Sequence, residues 1–190
     1  MKNEEVKERL ISTAVDLLLE AEKPEEITSR QLAARAGINL AMINYYFESK
    51  DQLLNLAISK IMESSADSFL SAPKTFLPPR ERLQKMLYEL CEMVVKYNRF
   101  TIIYIPYILL RDEIVVPMYI IPILQEYFDQ QKTEQECKVI AYQMVSFMQL
   151  CFLRSDAFQK YSGLDIMDAE VRKYLIDMQI NLFLGEGKQK

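Results

Sequence analysis

Histidine does not occur in the 190-residue sequence, and that absence removes more chemistry than any residue present suggests. Without it there is no Ser-His-Asp or Cys-His nucleophile and no histidine-bearing metal site. The four glycines, Gly37, Gly163, Gly185 and Gly187, are scattered, so no Gly-rich loop exists to cradle a phosphate. Cys91, Cys137 and Cys151 stand far apart among apolar residues in a helical pattern and read as reduced core residues. A redox-sensing thiol needs a cation at hand, and no Lys or Arg lies immediately beside Cys151. Acids such as Glu89, Glu92, Asp112 and Glu113 could serve an all-helical enzyme, yet they form no DDxxD-like or ExxH cluster. No catalytic residue, metal site or cofactor is expected, and the chain is not read as an enzyme.

What the sequence does offer is a recognition surface. A helix over 29–36, a turn containing Gly37 and a second short helix over 40–47 have the lengths that docking in a DNA major groove requires. Leu32, Ala33, Ala36, Ile38, Ile43 and Phe47 supply an apolar seam between the two helices. That leaves Leu40, Ala41, Asn44 and Tyr45 facing outward. An ordinary helical hairpin is the blander alternative, and a protein-interaction adaptor is another.

Local signals position these elements. Val6, Leu10, Ala14, Leu17, Leu18 and Ala21 recur three or four residues apart and predict a first amphipathic helix over 6–21. Lys23-Pro24-Glu25-Glu26 breaks it, and Thr28-Ser29-Arg30-Gln31 has the spacing of a capping box that opens the next helix. Gly37 sits where a helix end favours a left-handed residue, and Asn39 can cap the following helix. Ser49-Lys50-Asp51-Gln52 is a second capping box, opening a long helix to about residue 70. Prolines in 71–79 mark a linker, and further helices are predicted over 81–98, 99–111, 114–131, 133–153 and 168–184. The expectation is an all-α chain of about nine helices with no internal repeat.

Ile11-Ser-Thr-Ala14, Thr28-Ser-Arg-Gln-Leu-Ala33, Ala36-Gly-Ile-Asn39 and Tyr45-Tyr-Phe-Glu-Ser-Lys-Asp-Gln-Leu53 resemble, in order and spacing, the N-terminal signature of TetR-type transcriptional regulators. The likeness covers about the first 60 residues. It implies a helix-turn-helix DNA-binding domain over 1–48, a connecting fourth helix over 49–70, and a helical effector-binding and dimerisation domain over 71–190. By position it implies that Thr28 and Ser29 meet a phosphate at a helix N-terminus, with Arg30 and Asn39 in the same face. Lys50 matches a phosphate-contacting lysine and Tyr46 a backbone-contacting position, whereas Leu40, Ala41, Asn44 and Tyr45 fall where the family reaches bases.

Three features depart from that pattern: Asn44 stands where a tyrosine is usual, the turn at 23–26 lacks a glycine, and Leu40 and Met42 are bulky. Asn can pair bidentately with adenine, so Asn44 is expected to read an A·T pair. Charge gives weaker support, because residues 1–60 hold ten acids against eight basic residues. From 28 to 60 the balance reverses to four basic against two acidic, which permits a weakly positive face and implies a shallow salt dependence of binding.

In the second half, 139–153 is almost wholly apolar apart from Gln143, Ser146 and Gln149, and Val171, Tyr174, Leu175, Met178 and Leu182 form a stripe on the last helix. Pairing of both helices with a second copy would bury these surfaces in a four-helix homodimer interface. Met93, Tyr97, Tyr104, Tyr107, Met118, Tyr119, Tyr142 and Phe147 are candidates for an effector pocket, with Pro106, Pro117 and Pro122 loosening the helices around it. Core packing is the alternative role for each. The two most apolar runs, 100–110 and 114–124, are 11 residues each, well short of a membrane span of about 20. The N-terminus mixes both charge signs and reads as no signal peptide. The expectation is a cytoplasmic homodimer that binds operator DNA, without membrane contact, and is released by a small hydrophobic or aromatic effector.

Overall fold

The computed structural model describes residues 2–70, 77–111 and 113–185, with side chains placed over 3–64, 77–111 and 113–185. Most of the expected linker, residues 71–76, lies outside these, as do Asp112 and Gly187. Among the described residues the chain is all-helical, and it divides into two compact units.

The first unit comprises Met1–Ser71 and Tyr97–Tyr107. It holds α1 (Lys2–Glu20), a 3-10 turn (Pro24–Glu26), α2 (Ser29–Ala36), α3 (Ala41–Phe47), α4 (Lys50–Leu70) and most of α6 (Asn98–Leu110). α1 packs along α4 and against α2, and α3 packs on α4. The periodicity that predicted α1 is the one that buries it, since Leu10, Ala14 and Leu18 are fully enclosed. They meet a core to which α2 gives Leu32, α3 Ile43 and Phe47, α4 Leu53, Ala57 and Ile58, and α6 Phe100.

The second unit comprises Ala72–Lys96 and Ile108–Lys190. Its elements are α5 (Pro79–Lys96), a 3-10 turn (Val116–Tyr119), α7 (Ile121–Phe128), α8 (Glu134–Leu153), α9 (Ser155–Ser162) and α10 (Ala169–Leu184). α10 packs on α5, α5 on α7, and α7 on α8. Leu83, Leu87, Cys91, Leu124, Cys137, Met144, Leu175 and Ile176 lie within the shared core. Burial pushes the Cys91 thiol up to about 12 and that of Cys151 to about 11, so both are neutral near pH 7. Arg172 is buried and holds Glu92 together with the carbonyls of Ile166 and Met167. This joins the loop before α10 to α5, and it makes Glu92 an ion-pair partner rather than a free acid.

Two expectations change. The single helix over 114–131 is interrupted: a 3-10 turn at Val116–Tyr119 precedes a short α7, with Pro117 and Pro122 each near the start of its own element. Proline has no N–H to extend a preceding helix, so each one starts an element instead. The described residues also form ten α-helices rather than about nine. The extra one, α9, buries no residue, so it lacks the continuous apolar stripe that sequence periodicity detects.

The turn between α2 and α3 depends on Gly37, whose φ is +64°. Its N–H donates to Ala34 O at 3.2 Å while Ile38 N–H reaches Ala33 O at 3.0 Å, the paired bonds of a Schellman end. A methyl at Gly37 would meet nothing within 4 Å, so conformation alone sets the penalty. Gly37→Ala is expected to destabilise the chain by about 1 kcal/mol, and Gly37→Asn by less, in urea unfolding. Equal stability of the alanine variant would contradict this role for the turn.

Candidate nucleic-acid interface

α2 begins with the capping box read from the sequence. Thr28 Oγ1 accepts from Gln31 N–H at 3.2 Å, and Gln31 Oε1 accepts from Thr28 N–H at 2.7 Å. The first-turn amides of Ser29 and Arg30 lack intrahelical acceptors by helix geometry and carry the positive end of the helix dipole. Lys50, the first residue of α4, reaches the same place: its Nζ donates to Ile27 O at 3.0 Å, one residue before Thr28. The ammonium also stands 3.6 Å from Asp51 Oδ1. Thr28, Ser29, Arg30 and Lys50 are thereby gathered around one helix N-terminus, where an anion is favoured.

The second capping box forms only by half. Gln52 N–H donates to Ser49 Oγ at 3.1 Å, but Ser49 N–H is engaged by Phe47 O. The reciprocal bond is lost and Gln52 Oε1 is buried without a partner. Glu48, at φ +60°, makes the bend between α3 and α4 that draws Ser49 back.

Asn39 caps α3 by accepting from Ala41 N–H at 2.9 Å, with Leu40 already helical. Ile43 and Phe47 then turn inward, 0% and 1% exposed, while Leu40 is 44% and Tyr45 72% exposed. Ala41 and Asn44 share that open side. Tyr46 is half-buried and donates its hydroxyl to Asn3 Oδ1 at 3.2 Å, tying α3 to the beginning of α1. No sequence signal pointed to Asn3, or to the Ile27 carbonyl that holds Lys50, because neither contact is local.

The eight pocket candidates are divided between the two units. Tyr97, Tyr104 and Tyr107 belong to the first, where Tyr97 stacks on Phe100 and Tyr104 on Tyr107. Met93, Met118, Tyr119, Tyr142 and Phe147 belong to the second. There Phe147 meets the edge of Phe158, while Met118 and Tyr142 are exposed.

A capped helix, a left-handed glycine turn and a short second helix with one open face make the first unit a helix-turn-helix. Residues 10–57 match the model of bacterial regulatory proteins of the tetR family, so the first unit carries the N-terminal domain that this model describes. The chain is 33% identical over 61 residues to the HTH-type transcriptional regulator BetI of Rhizobium meliloti (strain 1021), covering 32% of this chain and 30% of BetI. It is 30% identical over 103 residues to the HTH-type transcriptional dual regulator CecR of Shigella flexneri, covering 50% of this chain and 45% of CecR. The matches thus span less than half the length of these curated relatives. Thermus thermophilus FadR, a TetR-family transcriptional repressor solved in complex with lauroyl-CoA, shares the fold, with a TM-score of 0.67 at 16% identity over 97% of this chain and 96% of FadR.

Proposed function

We propose that the chain is a sequence-specific DNA-binding transcriptional regulator that acts as a homodimer on a palindromic operator and is released by a small apolar effector. The observation that carries this is the sidedness of α3: Ile43 and Phe47 anchor it, and Asn44 and Tyr45 are left open. In this reading α3 enters the major groove, with Leu40, Ala41, Asn44 and Tyr45 toward bases. Thr28, Ser29, Arg30, Asn39, Tyr46 and Lys50 face phosphates and fix the register.

Pairing is supported by apolar side chains that α8 and α10 leave in solvent. Val139 is 57% and Leu150 48% exposed on α8, and Tyr174 is 56% and Leu182 74% exposed on α10. Stripes of this kind on two helices suit a partner surface. A second copy covers them and sets two reading heads about 34 Å apart, one turn of duplex. Effector binding then shifts that separation through a coupling of about 1–3 kcal/mol. Since FadR was solved with lauroyl-CoA, a long-chain acyl thioester is the first effector to add to a preformed complex with DNA.

Lys50→Ala should weaken binding to duplex DNA about tenfold or more at fixed salt, since a hydrogen bond to a charged group is worth about 1.5–3 kcal/mol, with the dimer intact. Unchanged affinity in fluorescence anisotropy would count against the phosphate contact. Asn44→Ala should cost about 1–3 kcal/mol of discrimination at a single A·T pair and little elsewhere. Unaltered preference at every position would remove Asn44 from the reading face. Leu182→Glu should give a monomer by light scattering, and a persistent dimer would place the interface elsewhere.

A further inference from the structure

The Tyr46 side chain is held at its ring and at its hydroxyl. Its ring meets that of Tyr45 edge to face, with centroids 5.0 Å apart and planes at 83°, and lies 6.3 Å from the ring of the enclosed Phe47. Its hydroxyl donates to Asn3 Oδ1, 43 residues away in the first turn of α1, at 3.2 Å. Asn3 is exposed, so this bond lies at the surface of the first unit.

A phenol carries one proton, and a phosphate oxygen only accepts. While Asn3 Oδ1 holds that proton, the Tyr46 hydroxyl has nothing to donate to a DNA backbone. An asparagine resolves the conflict with its outline unchanged: a half-turn of the amide about χ2 exchanges Oδ1 for Nδ2, and the acceptor becomes a donor. The separation suits this exchange, because 3.2 Å exceeds the roughly 2.7–2.8 Å usual for O–H···O and still falls within the roughly 2.7–3.2 Å span of N–H···O. A hydroxyl that donates to an anion is also a better acceptor, so the turned bond is the stronger of the two.

We propose that Asn3 is a positioning residue for Tyr46, accepting its hydroxyl proton in the free chain and, on DNA, turning its amide to donate Nδ2–H to the Tyr46 oxygen while the proton passes to a phosphate contact. This rests on the DNA-binding reading and extends the recognition surface to the beginning of α1. Held at the hydroxyl in both states, Tyr46 keeps its ring against Tyr45, which is 72% exposed on the open side of α3. An ionised carboxylate at position 3 can hold the proton but never return a donor, and an alanine can do neither.

Fluorescence anisotropy with a duplex enriched from a random pool tests the bound state. Asn3→Ala should weaken binding severalfold with an unchanged urea unfolding midpoint. Asn3→Asp should weaken it about tenfold or more, since it accepts through a charged group and cannot donate. Asn3→Gln, which keeps both amide functions on a longer arm, should recover part of the alanine loss. In a Tyr46→Phe background Asn3→Ala should cost nothing further, and Asn3→Asp should keep only a charge effect that fades as salt is raised. Affinity unchanged by Asn3→Ala, losses of Asn3→Ala and Tyr46→Phe that multiply, or an Asn3→Asp variant that binds as the unaltered chain does would overturn the proposal. Hydrogen exchange on the free chain tests the tie without DNA. The amides of 45–47 should exchange severalfold faster in Asn3→Ala and in Tyr46→Phe, and no faster in the double variant. Exchange unchanged in both single variants would overturn the tie. If the unaltered chain binds no duplex, the DNA-binding reading fails and takes the turned amide with it, while exchange at 45–47 still decides whether Asn3 positions Tyr46.

Discussion

A helix of seven residues does not persist in water by itself, since helices shorter than about 12–15 residues are marginal in isolation. α3 exists because Ile43 and Phe47 are pulled into a core already lined by Leu10, Leu18, Leu32, Leu53 and Ile58, each side chain contributing about 1.5–3 kcal/mol of burial. The same two anchors fix its rotation, and rotation decides what the open side presents. Everything attributed to recognition depends on this. The Gly37 turn sets where α3 begins, the Asn39 cap satisfies its first amides, and the strained Glu48 bend sends the chain away into α4.

Electrostatics reinforces that geometry locally, although the chain as a whole is acidic, with a formal net charge of −4. The N-terminus of α2 offers unpaired amides and a dipole, and Lys50 brings a full charge to the same spot by bonding to the Ile27 carbonyl. Because Asp51 partly offsets that charge, oriented backbone groups carry much of the attraction for an anion.

Much of the first unit was legible because its signals are local. The Thr28–Gln31 box, the left-handed Gly37 and the Asn39 cap each involve residues two or three apart, and each forms as read. The Ser49–Gln52 box had the same spacing yet closed only by half, since the Glu48 bend, which no spacing rule anticipates, turned Ser49 N–H to Phe47. Contacts that join distant segments left no trace in the sequence. Arg99 on the end of α1, Lys50 on Ile27 and Tyr46 on Asn3 depend on how helices pack, and so does the placement of residues 97–107 with the first unit. In the second unit, periodicity found the helices with continuous apolar stripes and missed α9, which buries none of its residues.

The central claim is that an outward-facing α3 reads DNA, and that two copies do so together. Selection of bound duplexes from a fully random pool tests it most directly. Enrichment of an inverted repeat whose half-sites lie about one helical turn apart is the predicted result. Recovery of unselected sequences, or of a lone half-site without a symmetric mate, would contradict it.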